Sequence, residues 1–141
     1  MITRENNAWF EDVTSSTNLS NIWFAIESVA YILDNGVLYD GSNTSIHPRT
    51  AVGLDSTGQY MFLMTIDGRQ KGYSEGATLA ETAQWLADFG ADDSLNFDGG
   101  GSTHLLMSDH NGKPLVLNKP SENRAVGSHF GIFAEKLPPT K

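Results

Sequence analysis

Asn96-Phe97-Asp98-Gly99-Gly100-Gly101-Ser102-Thr103 is the stretch from which the rest of the chain is read. A short apolar run, Ser94 to Phe97, leads into an acid and three consecutive glycines. Two hydroxyl residues follow, and then a second apolar run, Leu105-Leu106-Met107. The order implies strand, tight turn, strand. Three glycines bring no side chain to pack and cost backbone entropy. They therefore mark a tight turn or a place where main-chain N–H groups approach a ligand. A row of such N–H groups beside two hydroxyls suits a phosphate or a sugar oxygen. Because glycine punctuates turns so often, an unliganded hairpin turn is the competing reading.

Working outward, the segment just upstream is the one clear helix, about 78–89. Thr78 and Glu81 form a capping box that satisfies two otherwise orphaned backbone donors. Leu79, Ala83, Leu86 and Ala87 fall on one face, and Gly90 is a suitable stop. Further upstream, Glu27 and Ser28 split the apolar segment Ile22 to Leu33 into two halves of strand length. Asn35-Gly36 signals a hairpin, with Val37-Leu38-Tyr39 returning. Thr50 to Leu54 reads as a strand. Tyr60 to Ile66 is almost continuously apolar, the pattern of a strand buried on both faces. Downstream, His104 to Ser108 and Leu115 to Leu117 flank a second tight turn at Asn111-Gly112, and Gly127 to Phe133 reads as a last strand. Many short strands around one helix predict an α+β fold with a largely antiparallel sheet. The expected division is an N-terminal strand or arm over 1–34, a main domain over 35–134 and a tail over 135–141.

The chain has 141 residues, the size of one domain with one core. It carries nine Lys+Arg against 17 Asp+Glu, a formal net charge of −8. Nucleic-acid binders usually carry the opposite balance, so no nucleic-acid partner is expected. No run approaches the roughly 18 apolar residues of a membrane span, and no secretory leader is visible. Without cysteine there is no disulfide, thiolate nucleophile or cysteine-based zinc site.

Two predicted strand ends deliver the same dipeptide, Asp67-Gly68 and Asp98-Gly99. If those strands are neighbours, both carboxylates open onto one sheet edge, where scaffolds display catalytic groups. Either dipeptide alone is an ordinary turn. Arg49, Arg69 and Arg124 lie in or beside the same loops, and arginine clamps a phosphate through two parallel N–H bonds. His47, beside Arg49, is a further candidate. His47, His104, His110 and His129 show no metal-ligand spacing. Asp67 and Asp98 could supply oxygen ligands to a divalent cation, but no spacing demands one, and no cofactor is expected. Ser102 lacks the G-x-S-x-G context of a hydrolase nucleophile.

His47-Pro48-Arg49-Thr50-Ala51-Val52-Gly53, Asp67-Gly68-Arg69-Gln70, Gly76 to Glu81, Asn96 to Thr103, Asn118 to Ser121 and Arg124 to Gly127 occur in that order. Together they resemble the phosphodiester glycosidase family over about residues 35 to 134. The resemblance implies hydrolysis of a sugar-1-phosphodiester, the glycosidic bond to phosphate, in a glycoconjugate or envelope polymer. It implies a catalytic set of Arg49, Asp67, Arg69 and Asp98. Gly99, Gly100, Gly101, Ser102, Thr103, Asn118, Ser121 and Arg124 would bind substrate. In that arrangement Arg49 and Arg69 hold the phosphate, loop amides and hydroxyls take phosphate or sugar oxygens, and Asp67 or Asp98 serves as acid, base or charge stabiliser. Family domains carry a longer N-terminal part than the 34 residues before Asn35, so this chain reads as a minimal version, a fragment or a subunit completed by a neighbour. The family also occurs in phage tail and bacterial envelope proteins, which implies an extracellular, envelope or virion location. The alternative function is a non-catalytic glycan-binding or structural module of a phage tail, a homo-oligomer or part of a larger assembly. Trp9, Phe10, Trp23 and Phe24 would be its subunit contact.

Overall fold

The computed structural model describes residues 1–39 and 41–134. Its centre is a five-stranded antiparallel sheet built from β1 (Ala30–Asp34), β2 (Val37–Leu38), β3 (Arg49–Leu54), β4 (Met61–Ile66) and β5 (Asp93–Asn96), in the order β2-β1-β5-β3-β4. One helix, α1 (Leu79–Phe89), packs on one face. A two-stranded hairpin, β6 (Leu106–Ser108) and β7 (Pro114–Val116), stands apart. The architecture is α+β, as the sequence implies.

The helix forms where the capping signals place it. The Thr78 hydroxyl accepts from the Glu81 N–H while the Glu81 carboxylate accepts from the Thr78 N–H, and Gly90 closes the helix in the left-handed region at φ 106°. Thr82, Ala83 and Leu86 turn inward, and Leu86 packs with Ile32, Leu33, Ala51 and Ala91 in the core. Gly53 lets the sheet approach the helix, since a Cβ there would lie 3.4 Å from Leu86 Cδ2. A Cβ on Gly53 would fall 2.7 Å from the Ala91 Cβ. Hydrogen bonds from Thr78 hold the Glu81 carboxyl below its ordinary value of 4.5. A carboxylate depressed on folding adds stability above its unfolded pKa and loses it as pH falls through the folded value. Glu81→Gln is therefore expected to melt below the wild type at pH 7, with the gap closing below about pH 4.5, measurable by thermal melts across pH.

Several elements differ from expectation. Only the second half of Ile22 to Leu33 is a strand. The first half is extended chain with a single bridge between Ile2 and Phe24. Its Phe24 and Ile26 nonetheless turn inward and line a small apolar cavity with Met1, Ile2, Trp9, Phe10, Val52, Met61, Phe97 and Phe130. The N-terminal segment thus covers the sheet face opposite α1, and the boundary expected at residue 34 falls inside the β1–β2 hairpin. β4 is an edge strand. Phe62 and Met64 pack toward the helix, but Leu63 is 42% exposed. Gly127 to Phe133 forms no strand. The turn at Asn111-Gly112 is wider than two residues, since the strands close at Ser108 opposite Pro114. The tail expected over 135–141 lies outside the described residues. Among the described residues, no helix is long and apolar enough to cross a membrane.

Candidate functional site

β4 and β5 are not neighbours; β3 lies between them, antiparallel to both. β4 and β5 therefore run the same way, and their C-terminal ends reach the same sheet edge, on either side of the start of β3. Ala51 pairs with Asn96, and Arg49 pairs with Ile66. Side chains alternate along a strand, so Arg49 shares a face with Ala51 and with Asn96, the partner of Ala51. The topology thus gathers at one edge the residues after β4, the residues after β5 and the head of β3.

Pro48 is the pivot of this edge. A Cβ on Gly68 would meet the Pro48 nitrogen at 2.7 Å, and a Cβ on Gly99 would meet the Pro48 carbonyl oxygen at 2.5 Å. Both loops bring bare backbone against one proline, one at its nitrogen and the other at its carbonyl. The glycine triplet has a different reason at each position. Gly99 allows that approach. Gly100 takes φ +60° and leaves room for the Arg69 guanidinium, 2.9 Å from where its Cβ would be. Gly101 leaves room for Glu122 and Arg124.

The edge opens into a cavity of about 270 Å³ lined by Arg49, Arg69, Asn96, Asp98, Gly99 to Gly101 and Arg124, with Val29, His47, Pro48 and Phe97 completing the wall. Arg49 is 7% exposed, and two of its donors are fixed: Nε to the Ala77 carbonyl and Nη2 to the Ser45 carbonyl. Burial first, and then the neighbouring Arg69 charge, push its pKa down from the ordinary value. Arginine still stays protonated, so the cavity holds positive charge that wants an anion. Arg69 is exposed and takes φ +57°, a left-handed conformation that a non-glycine residue adopts at a cost. Its N–H donates to Glu75, the Gln70–Ser74 bridge follows, and Nη2 lies 3.5 Å from His47 Nδ1. Arg124 donates to the Ser102 hydroxyl and faces Glu122 at 3.6 Å. Asp98 is exposed, and its carboxylate has no hydrogen-bond partner among the described residues.

Not every residue picked from the sequence reaches this cavity. The Asp67 carboxylate accepts from Tyr73 Oη and Lys119 N on one oxygen and from Asn118 Nδ2 on the other. Asn118 also donates to the Thr103 carbonyl and accepts from Leu105 N. Asp67 and Asn118 thus form a polar clip that ties the 67–74 loop to the neck of the β6–β7 hairpin. Thr103 is buried, with its hydroxyl against Thr50. Ser121 Oγ is buried without a partner and does not line the cavity. The structure therefore places Asp67, Thr103, Asn118 and Ser121 behind the wall, with Ser102 reaching it through Arg124. The loop amides are also partly occupied: Gly100 N–H donates to Pro48, Ser102 N–H to Gly99 and Thr103 N–H to Gly100. Gly99 and Gly101 are left as the candidates among them for a ligand. Among the described residues, no three His, Asp or Glu side chains converge on a common metal position. Asn96 also lines the cavity, a residue to which the sequence assigns no site role, although a polar residue on an inward position of an apolar strand is a readable signal.

A family model described as phosphodiester glycosidase matches residues 2–133. Among solved structures, the chain is similar to the catalytic domain of zebrafish N-acetylglucosamine-1-phosphodiester alpha-N-acetylglucosaminidase, auto-inhibited by pro-peptide. The two are 28% identical, with TM-score 0.55, over 68% of this chain and 34% of that one. A hypothetical protein from Synechocystis is also similar, 28% identical with TM-score 0.47, over 64% of this chain and 17% of that one. No curated protein matches the sequence. The chain spans about a third of the length of the zebrafish structure.

Proposed function

This chain belongs to the phosphodiester glycosidase family, and from that membership we propose that it hydrolyses a sugar-1-phosphodiester of a glycoconjugate or envelope polymer. One observation carries the reading. Three guanidinium groups and one unengaged carboxylate surround a single cavity in a chain whose formal net charge is −8. Positive charge concentrated against the overall balance draws in an anion. Arg49 and Arg69 engage the phosphate oxygens, and Arg124 closes the open side. Asp98 faces the sugar. It takes a proton from the attacking water and offsets the positive charge that grows at the anomeric carbon. Water oxygen bonds to that carbon as the bond to the phosphate oxygen breaks. The products are the free sugar and a phosphomonoester, a leaving group that needs little acid assistance. The zebrafish N-acetylglucosamine-1-phosphodiester alpha-N-acetylglucosaminidase is named for the same bond type. Such substrates occur outside cells, in envelopes and on virion targets, which is the proposed place of action.

The test is release of reducing sugar from methyl diesters of glucose 1-phosphate and N-acetylglucosamine 1-phosphate. Arg69→Ala removes a charge-assisted contact from an exposed residue. It is expected to weaken binding of inorganic phosphate and raise KM by about 10- to 100-fold while leaving the melting temperature nearly unchanged. Tight sugar-phosphate binding without any release would support the glycan-binding module instead. Unaltered kinetics in Arg69→Ala would remove the phosphate-holding role.

A further inference from the structure

The cavity contains one polar atom that the anion-holding arginines do not explain. Asn96 is 4% exposed, lies on the central strand β5 and lines the cavity. Its Nδ2 donates to the Phe97 carbonyl at 2.8 Å. That bond fixes the amide, because the reverse orientation would set two carbonyl oxygens against each other. Oδ1 is left buried with no partner among the described residues. Buried acceptors are almost always satisfied, and Asn96 is the lining residue of this cavity that carries an unmatched one. Ser94, His104 and Ser121 also carry unmatched buried atoms, but none of the three lines this cavity.

We infer that Asn96 Oδ1 reads the sugar half of the substrate by accepting a hydrogen bond from one of its O–H or N–H groups. This rests on the sugar-phosphodiester reading of the site. The phosphate half cannot serve, since an ionised phosphodiester offers only acceptors. Arg49, on the same sheet face, turns Nε and Nη2 to the Ala77 and Ser45 carbonyls instead. Asn96, at the end of β5, and Asp98, the carboxylate assigned to the anomeric carbon, line the same cavity. The residue therefore determines specificity, through a polar group that punishes a sugar lacking the matching donor.

The test is calorimetric titration of the full chain with inorganic phosphate, glucose 1-phosphate and its monodeoxy analogues. Wild type is expected to bind glucose 1-phosphate about tenfold or more tightly than phosphate. At least one monodeoxy analogue should lose most of that advantage. Asn96→Leu, which keeps the branching at Cγ and removes both polar atoms, should bring glucose 1-phosphate to within about threefold of phosphate while phosphate itself binds as before. It should also bind the sensitive analogue as well as the parent sugar. Equal loss of both ligands in Asn96→Leu, or an undiminished preference for the sugar, overturns the inference and leaves the anion site standing. The monodeoxy series needs only wild type, so it decides even if the variant does not fold: no sensitive position means no such hydrogen bond. Wild type that binds neither ligand overturns the anion site and this inference together.

Discussion

Asp98→Asn is expected to lower kcat on a sugar-1-phosphodiester by about 10²- to 10⁴-fold, the range for loss of a positioned acid or base. The substitution keeps the shape of the side chain and removes only its charge and basicity. The fold should not notice. Asp98 is exposed and unpartnered among the described residues, so the melting temperature should stay within experimental scatter. Phosphate binding should hold or improve, because a negative charge leaves a cavity that Arg49, Arg69 and Arg124 line. That combination separates a chemical role from a structural one. Loss of turnover with retained phosphate affinity supports the assignment. Full turnover in Asp98→Asn would leave the site without its proposed base and return Asp67 to consideration, despite the three hydrogen bonds that engage its carboxylate.

Gly76→Ala is expected to be the most destabilising single methyl group in the chain. Gly76 takes φ +112°, a conformation that L side chains rarely adopt, and a Cβ there would lie 2.4 Å from both the carbonyl carbon and the oxygen of His47. Those atoms are backbone and cannot rotate away. They are also held in place, since His47 N–H donates to the Ala77 carbonyl and Ala77 N–H to the His47 carbonyl. Overpacking and backbone strain together predict a loss of about 3–5 kcal/mol, a large part of the roughly 5–15 kcal/mol that stabilises a domain. The Ala77 carbonyl is also the anchor for Arg49 Nε, so any folded fraction should bind phosphate weakly. Chemical denaturation and phosphate titration of the same sample check both halves. A normal melting curve with normal phosphate affinity would show that the 47–77 crossing is looser than its geometry implies. Gly58→Ala is the control for backbone strain alone: it also has positive φ, but nothing lies within 4 Å of its would-be Cβ.

Elements whose signals are local were legible from the residues themselves. The capping box at Thr78 and Glu81, the left-handed stop at Gly90 and the Asn35-Gly36 turn, with φ 48° and 73°, follow from backbone chemistry within a few residues. The Gly127 to Phe133 run had no such signal. An apolar run makes a strand only where a neighbour supplies hydrogen bonds, and none does so among the described residues. β4 departs from the two-sided burial its sequence implies for a related reason. Apolar content says that a strand meets a core, but sheet order decides whether it lies inside or at the edge. In the site, Asp67 and Asp98 precede glycine in the same way, yet Asn118 and Lys119, some fifty residues from Asp67, engage the carboxylate of Asp67 and not that of Asp98.

By itself the sequence determined which residue types would meet: turn glycines, arginines and an acid at strand ends, arranged in an order that marks the family. Hydrogen-bonding rules and steric limits on the backbone are written in neighbouring residues, so those features need no knowledge of the rest of the chain. Only the tertiary structure decided which polar groups face the cavity and which are bound to one another behind it. That outcome depends on β3 lying between β4 and β5, and on which donors the returning loops bring within reach. Such long-range pairings are set by packing the whole chain, and they leave no mark within any one segment.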